Sequence, residues 1–154
     1  MKQFSLYLAI VLSCFSIAQA QNNEVSQAQA MLQQGQYSGV VSLLSPVVKE
    51  QPKLAEVHYL LAEAYRQLPQ PNIFQANQHI VEALNLQPKN ERYWESKVRL
   101  LATNDPYFGA TISRQERVSE VTRELISQNP NNVLANEIRG TYAFESVMED
   151  AHAV

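Results

Sequence analysis

Side chains able to do chemistry are few in this chain and widely spaced. The three histidines are His58, His79 and His152. A helical zinc site of the His-Glu-x-x-His kind needs two imidazoles one turn apart, so that both can reach one ion. No histidine here has a second ligand at that spacing, so no metal is expected. Glu63 and Glu95 are the carboxylates that could be drawn as a general acid and base. Both are expected on helix faces, where solvated carboxylates are routine. There is no Gly-x-Ser-x-Gly elbow and no plausible Ser/His/Asp set, and four glycines leave little from which to build a phosphate-cradling loop. The residues therefore imply no enzyme, no catalytic residue and no cofactor.

The elements around these residues begin with a leader. Lys2 gives a positive start, Leu6 to Leu12 form an uncharged apolar run, and Ala18-Gln19-Ala20 is a small-x-small cleavage pattern. Residues 1–20 are expected to be a removed signal peptide, and residues 21–154 the folded unit of a periplasmic or secreted protein. A rival exists in Val11-Leu12-Ser13-Cys14, which is similar to a lipobox and would make the chain a lipoprotein anchored at Cys14. Cys14 is the only cysteine. Cleavage after Ala20 removes it, leaving no thiol chemistry and no disulfide. The formal charge of −3 comes without a basic block or an interleaved aromatic stripe, which argues against nucleic acid and anionic membrane surfaces. No second apolar stretch is long enough to span a bilayer, so no membrane insertion is expected after the leader is removed.

Organisation emerges from the prolines. Lys49-Glu50-Gln51-Pro52, Asn85-Leu86-Gln87-Pro88 and Ile126-Ser127-Gln128-Asn129-Pro130 each close an apolar-periodic run, and proline cannot extend a helix. Twelve residues before each proline stand Val40, Ala76 and Val118; eight before, Leu44, Ile80 and Thr122; five before, Val47, Ala83 and Leu125. Spacings of four and three fall on one helical face. Each proline thus ends an amphipathic helix with the same buried stripe. A second helix precedes each one: Val25 to Leu32, Ala55 to Leu68, and Glu91 to Thr103 with Trp94, Val98 and Leu101 inward. Gly35 supplies backbone freedom for the first turn. Pro46 lies within the second helix and is expected to bend or break it near Ser45. The segment Thr103–Ile112 is expected to be a surface loop, followed by a capping box at Ser113-Arg114-Gln115-Glu116. Asn72 and Gln75 form a weaker start of the same type.

Repetition of helix–turn–helix units resembles the tetratricopeptide repeat family. The resemblance is carried by His58, Leu61, Ala62, Tyr65, Ala76, Ile80, Ala83 and Pro88 in the second unit, and more loosely by Ala28, Tyr37, Val40 and Pro52 in the first and Trp94, Val98, Val118 and Pro130 in the third. It implies an all-α right-handed solenoid of about three helix pairs plus a terminal helix, with repeats near 21–54, 55–90 and 91–132 and a partial one at 133–154. It places His58 as a core or boundary side chain. The implied function is an exported interaction module or scaffold that binds a protein or peptide in a concave groove, in envelope assembly. The groove residues carried across are Tyr59, Glu63, Arg66, Arg92, Glu95 and Arg99, flanked by Val25, Gln29, Leu32 and Glu56. Val25, Gln29, Leu60 and Ser96 stand where the family's carboxylate clamp keeps lysines and asparagines, so that clamp is not implied. Mixed charges along the groove imply binding that weakens with salt. The other functional reading is the helical N-terminal part of a larger exported enzyme. Ile138, Tyr142, Phe144, Val147 and Met148 cover more of the last helix than one packing face needs, which implies either that the natural chain continues or that this face meets another molecule, as in self-association.

Overall fold

The computed structural model describes residues 23–102 and 114–141. They are helical throughout apart from their turns, and no strand occurs among them. In chain order the helices are α1 (23–33), α2 (Tyr37–Glu50), α3 (Ala55–Gln67), α4 (Ile73–Leu86), α5 (Glu91–Ala102), α6 (Arg114–Gln128) and α7 (133–141). From α2 to α6, each helix packs on the next, and α3 also touches α5. Residues 1–22, the segment 103–113, which includes Ser113, and the residues after 141 lie outside this description. The expectations for cleavage, for Cys14, for the surface loop and for most of the C-terminal apolar face fall there.

The proline-based register holds at every position. All nine residues twelve, eight and five before the three prolines are buried, from Val40 and Ala76 at 0 % exposure to Val47 at 6 %. Why the prolines mark repeats is visible in the turns. The amides of Gln51, Gln87 and Asn129 each donate to the carbonyl four residues back, at 2.9 Å, closing α2, α4 and α6 in the same way. The amides of Leu54, Asn90 and Asn132 then bond back to those closing residues, at 3.4, 3.2 and 3.0 Å. Each turn thus has proline in its second position, where a fixed φ fits.

A second regularity sits on the same turns. His58 Nε2, Trp94 Nε1 and Asn136 Nδ2 each lie six residues beyond a turn proline and donate to that proline's carbonyl, at 3.0, 2.7 and 2.9 Å. An imidazole, an indole and an amide thus do one job. Each satisfies a carbonyl left free between two helices, and the Pro88 carbonyl also accepts from Gln128 Nε2 at 3.3 Å.

Other local readings fare differently. Gly35 has φ +73°, the left-handed conformation that needs glycine. Asn72 Oδ1 accepts from the Gln75 amide at 3.1 Å, capping α4. The expected break near Ser45 does not occur, since α2 runs unbroken through Pro46. Pro46 is exposed while Leu44 and Val47 on either side are buried, so its ring projects into solvent and the packed stripe holds the helix together.

Three apolar clusters share helices. The first joins Ala28, Val40, Leu44 and Leu61; the second joins Ala62, Ala76, Ile80 and Tyr93; the third joins Val98, Leu125 and Ala135, with Ile138 packed against it. Tyr59 and Tyr65 of α3 touch the first two, and Trp94 of α5 touches the second and third. Because α3 belongs to two clusters and meets α5 directly, its remaining face and that of α5 form one continuous surface.

Candidate functional site

That surface is organised by Glu56 on α3. Its Oε1 accepts from Gln29 Nε2 of α1 at 3.0 Å, and its Oε2 accepts from Tyr93 Oη of α5 at 3.1 Å and from the Arg92 guanidinium. One carboxylate therefore ties together α1, α3 and α5. Tyr59 stacks on Tyr93 with ring centroids 5.1 Å apart, and the Arg92 guanidinium lies 4.5 Å above the Tyr59 ring. Burial, with Glu56 close by, pushes the Tyr93 phenol up to about 12, so it stays a hydrogen-bond donor at any ordinary pH. Arg92 is held by charge, by a hydrogen bond and by aromatic faces at once.

Glu63, one turn further along α3 from Tyr59, departs from the sequence expectation. It was expected to be solvated, yet it is only 7 % exposed. Its Oε2 accepts from Arg66 at 2.6 Å and from Gln67 Nε2 at 3.0 Å, and its Oε1 accepts from Ser96 Oγ of α5 at 2.5 Å. Stacking of α5 across α3 covers the carboxylate, and three donors replace its water. Arg66 is half-buried and committed to this pair.

Glu95 and Arg99 form the expected pair one turn apart on α5, at 3.5 Å. The side-chain amide of Asn132, 4 % exposed, donates to Glu95 at 2.8 Å and to Glu91 at 2.5 Å, while its Oδ1 accepts from the Ala135 amide and caps α7. Those donations from Asn132, joined by Asn129, hold the Glu91 carboxyl below the usual range.

Between α1, α3 and α5 lies a groove of about 410 Å³ lined by Gln29, Leu32, Gln33, Glu56, Tyr59, Leu60, Gln67 and Arg92. Tyr59 and Arg92 thus stand on its wall; Glu63, Arg66, Glu95 and Arg99 are not among its lining residues. Glu56, Gln29 and Leu32, flanking residues in the sequence reading, are part of it. Tyr93 was missed as a member of the network, because Trp94 beside it fits the repeat pattern better. At 1 % exposure the Tyr93 hydroxyl needs a partner, and Glu56 is that partner.

A second constellation was invisible in the sequence. His58 Nδ1 and His79 Nδ1 face each other at 3.1 Å between α3 and α4, and Tyr65 stacks on the His79 ring at 5.7 Å. Because the Pro52 carbonyl can only accept, His58 carries its proton on Nε2. Its Nδ1 and the His79 Nδ1 then share the one proton that lies between them. Burial, and the neighbouring His58, lower the His79 imidazole to about 4. The His79 ring is therefore neutral at pH 7. Lys97 on α5, bonded to Asn77 Oδ1 of α4, is lowered to about 8 by burial.

Among the described residues no three His, Cys, Asp or Glu side chains converge where a metal could sit, and no helix is long and apolar enough to cross a membrane. Searches of protein-family models and of characterised proteins find no match to this sequence.

Proposed function

We propose that the chain is an exported tetratricopeptide-like repeat module, a right-handed solenoid that binds a protein or peptide along the face of α1, α3 and α5 and carries out no chemistry itself. The observation that carries this reading is the groove. Tyrosine and arginine, the residue types most often dominant at interfaces, stand on its wall, fixed in place by Glu56 and Tyr93 before any partner arrives. The repeated turns and the contact between α3 and α5 support the solenoid, since stacking of alternate helices is what forms such a face. The leader pattern supports export, and a role in envelope assembly or scaffolding follows from the two together.

The test is partner capture from an envelope fraction by the mature chain. Tyr59→Ala with Arg92→Ala should reduce capture at least tenfold, a loss equivalent to about 1.4 kcal/mol. Gln78→Ala with Glu82→Ala on α4, neither of which lines the groove, should leave capture unchanged. Equal capture by the groove variant and the wild type, with both folded by circular dichroism, would refute the reading.

A further inference from the structure

The charges along the binding face are already paired within it. Glu56 holds Arg92, Glu63 holds Arg66, and Glu95 holds Arg99. The two acidic groups nearest the groove carry neutral donors as well: Gln29 and Tyr93 on Glu56, Ser96 and Gln67 on Glu63. Only Glu56 and Arg92 of the six charges line the groove, and they cancel. What remains for a ligand is the apolar surface of Leu32 and Tyr59, over a floor closed by buried Leu60, together with the Gln33 amide and the side-chain carbonyls and second N–H groups of Gln29 and Gln67. A carboxamide presents both a donor and an acceptor, which is the pattern of a peptide unit.

We infer that the groove selects an uncharged, extended polypeptide segment, with apolar side chains on Leu32 and Tyr59 and its backbone bonded by glutamine amides. This rests on the proposed interaction role and specifies its partner. An acidic ligand would have to take Arg92 from Glu56, and a basic one would have to take Glu56 from Arg92. Either exchange leaves one charge without its counter-ion on a partly desolvated wall. An uncharged segment leaves the pair intact. The salt-weakened binding expected from the sequence assumed open charges; with the charges paired inside the face, affinity should change less than about twofold between low and high salt.

The experiment is selection of a displayed library of random short peptides on the full mature chain, read by sequencing and compared with the same selection on three variants. Wild type should enrich peptides without Asp, Glu, Lys or Arg in their central positions. Glu56→Gln, which leaves Arg92 unpaired, should shift enrichment toward acidic peptides. Arg92→Gln should shift it toward basic ones. Enrichment of charged peptides by wild type, or no enrichment at all, overturns the inference. The outcome for Tyr59→Ala with Arg92→Ala separates the two claims. Charged peptides enriched by wild type and lost with this variant leave the groove reading standing and sink the uncharged ligand. Peptides retained by this variant sink the groove reading itself.

Discussion

Lowering the pH from about 7.5 to about 5 should loosen the junction of α3 and α4 through His79. In the folded chain its imidazole is lowered from an ordinary 6.5 to about 4. The unfolded chain therefore binds the extra proton first. The stabilisation is complete above pH 6.5 and is lost as the pH falls toward 4. Integrated between pH of about 7.5 and 5, that difference is about 2 kcal/mol. The ring is only half-buried, and solvent access brings this to about 1 kcal/mol. For a domain of this size that is about 3–5 °C in melting temperature. Carboxylates lose stabilising contacts over the same range, so the decisive quantity is the difference between wild type and His79→Gln. The glutamine amide can still donate to His58 Nδ1, yet it does not titrate. Denaturant melts at several pH values should show a wild-type curve that falls more steeply than that of the variant. Parallel curves, or an NMR titration of His79 with a midpoint near 6.5, would refute the argument.

Three further perturbations follow from single contacts. Thr122 stands where the other repeats have Leu44 and Ile80, and its buried hydroxyl has no hydrogen-bond partner; Thr122→Val should therefore raise stability by about 1 kcal/mol in urea melts. Pro46 lies exposed inside a continuous α2. Pro46→Ala restores a backbone donor while loosening the unfolded chain, for a net gain of about 1–2 kcal/mol by thermal melting. Asn132→Ala removes the cap of α7 and two donations to Glu91 and Glu95, and should cost about 2–3 kcal/mol, seen as faster amide exchange in α6 and α7.

The helices were legible because one residue type fixed their phase. Proline can occupy the second turn position and cannot extend the preceding helix, so Pro52, Pro88 and Pro130 aligned the three buried stripes without any comparison sequence. Even Thr122 could be placed in the core by that register, against its polarity. The site was legible only as far as a helix face. Tyr59 and Arg92 were assigned to the groove by the resemblance to the repeat family, whose register states which side of its own helix each side chain leaves. Whether a second helix then covers that side chain depends on stacking distance, which spacing does not encode. Glu63 was misjudged for this reason, as Ser96 of α5 closes over it. The same gap hid the imidazole pair, since His58 and His79 lie on different helices and meet only because α3 and α4 pack together. Pro46 was misjudged on energy: a helix can lose one interior hydrogen bond when burial on its opposite side exceeds that loss.

The donors to the turn carbonyls also supply an intrinsic optical probe. Trp94 is the only tryptophan in the sequence, and its indole N–H is bonded to the Pro88 carbonyl at the junction of the second and third repeats. Its emission reports on that junction and on little else. Far-ultraviolet dichroism, by contrast, averages over every helix. The junction before it is closed by an imidazole and the one after by an amide, neither of which fluoresces. Unfolding that proceeds as one event makes the two signals coincide. If the repeats behave as a chain of nearest neighbours, the fluorescence change comes first when α6 and α7 peel away, and α1 to α4 remain helical behind it. The order of loss along the chain can thus be read without a label, from one ring that nature placed at the seam.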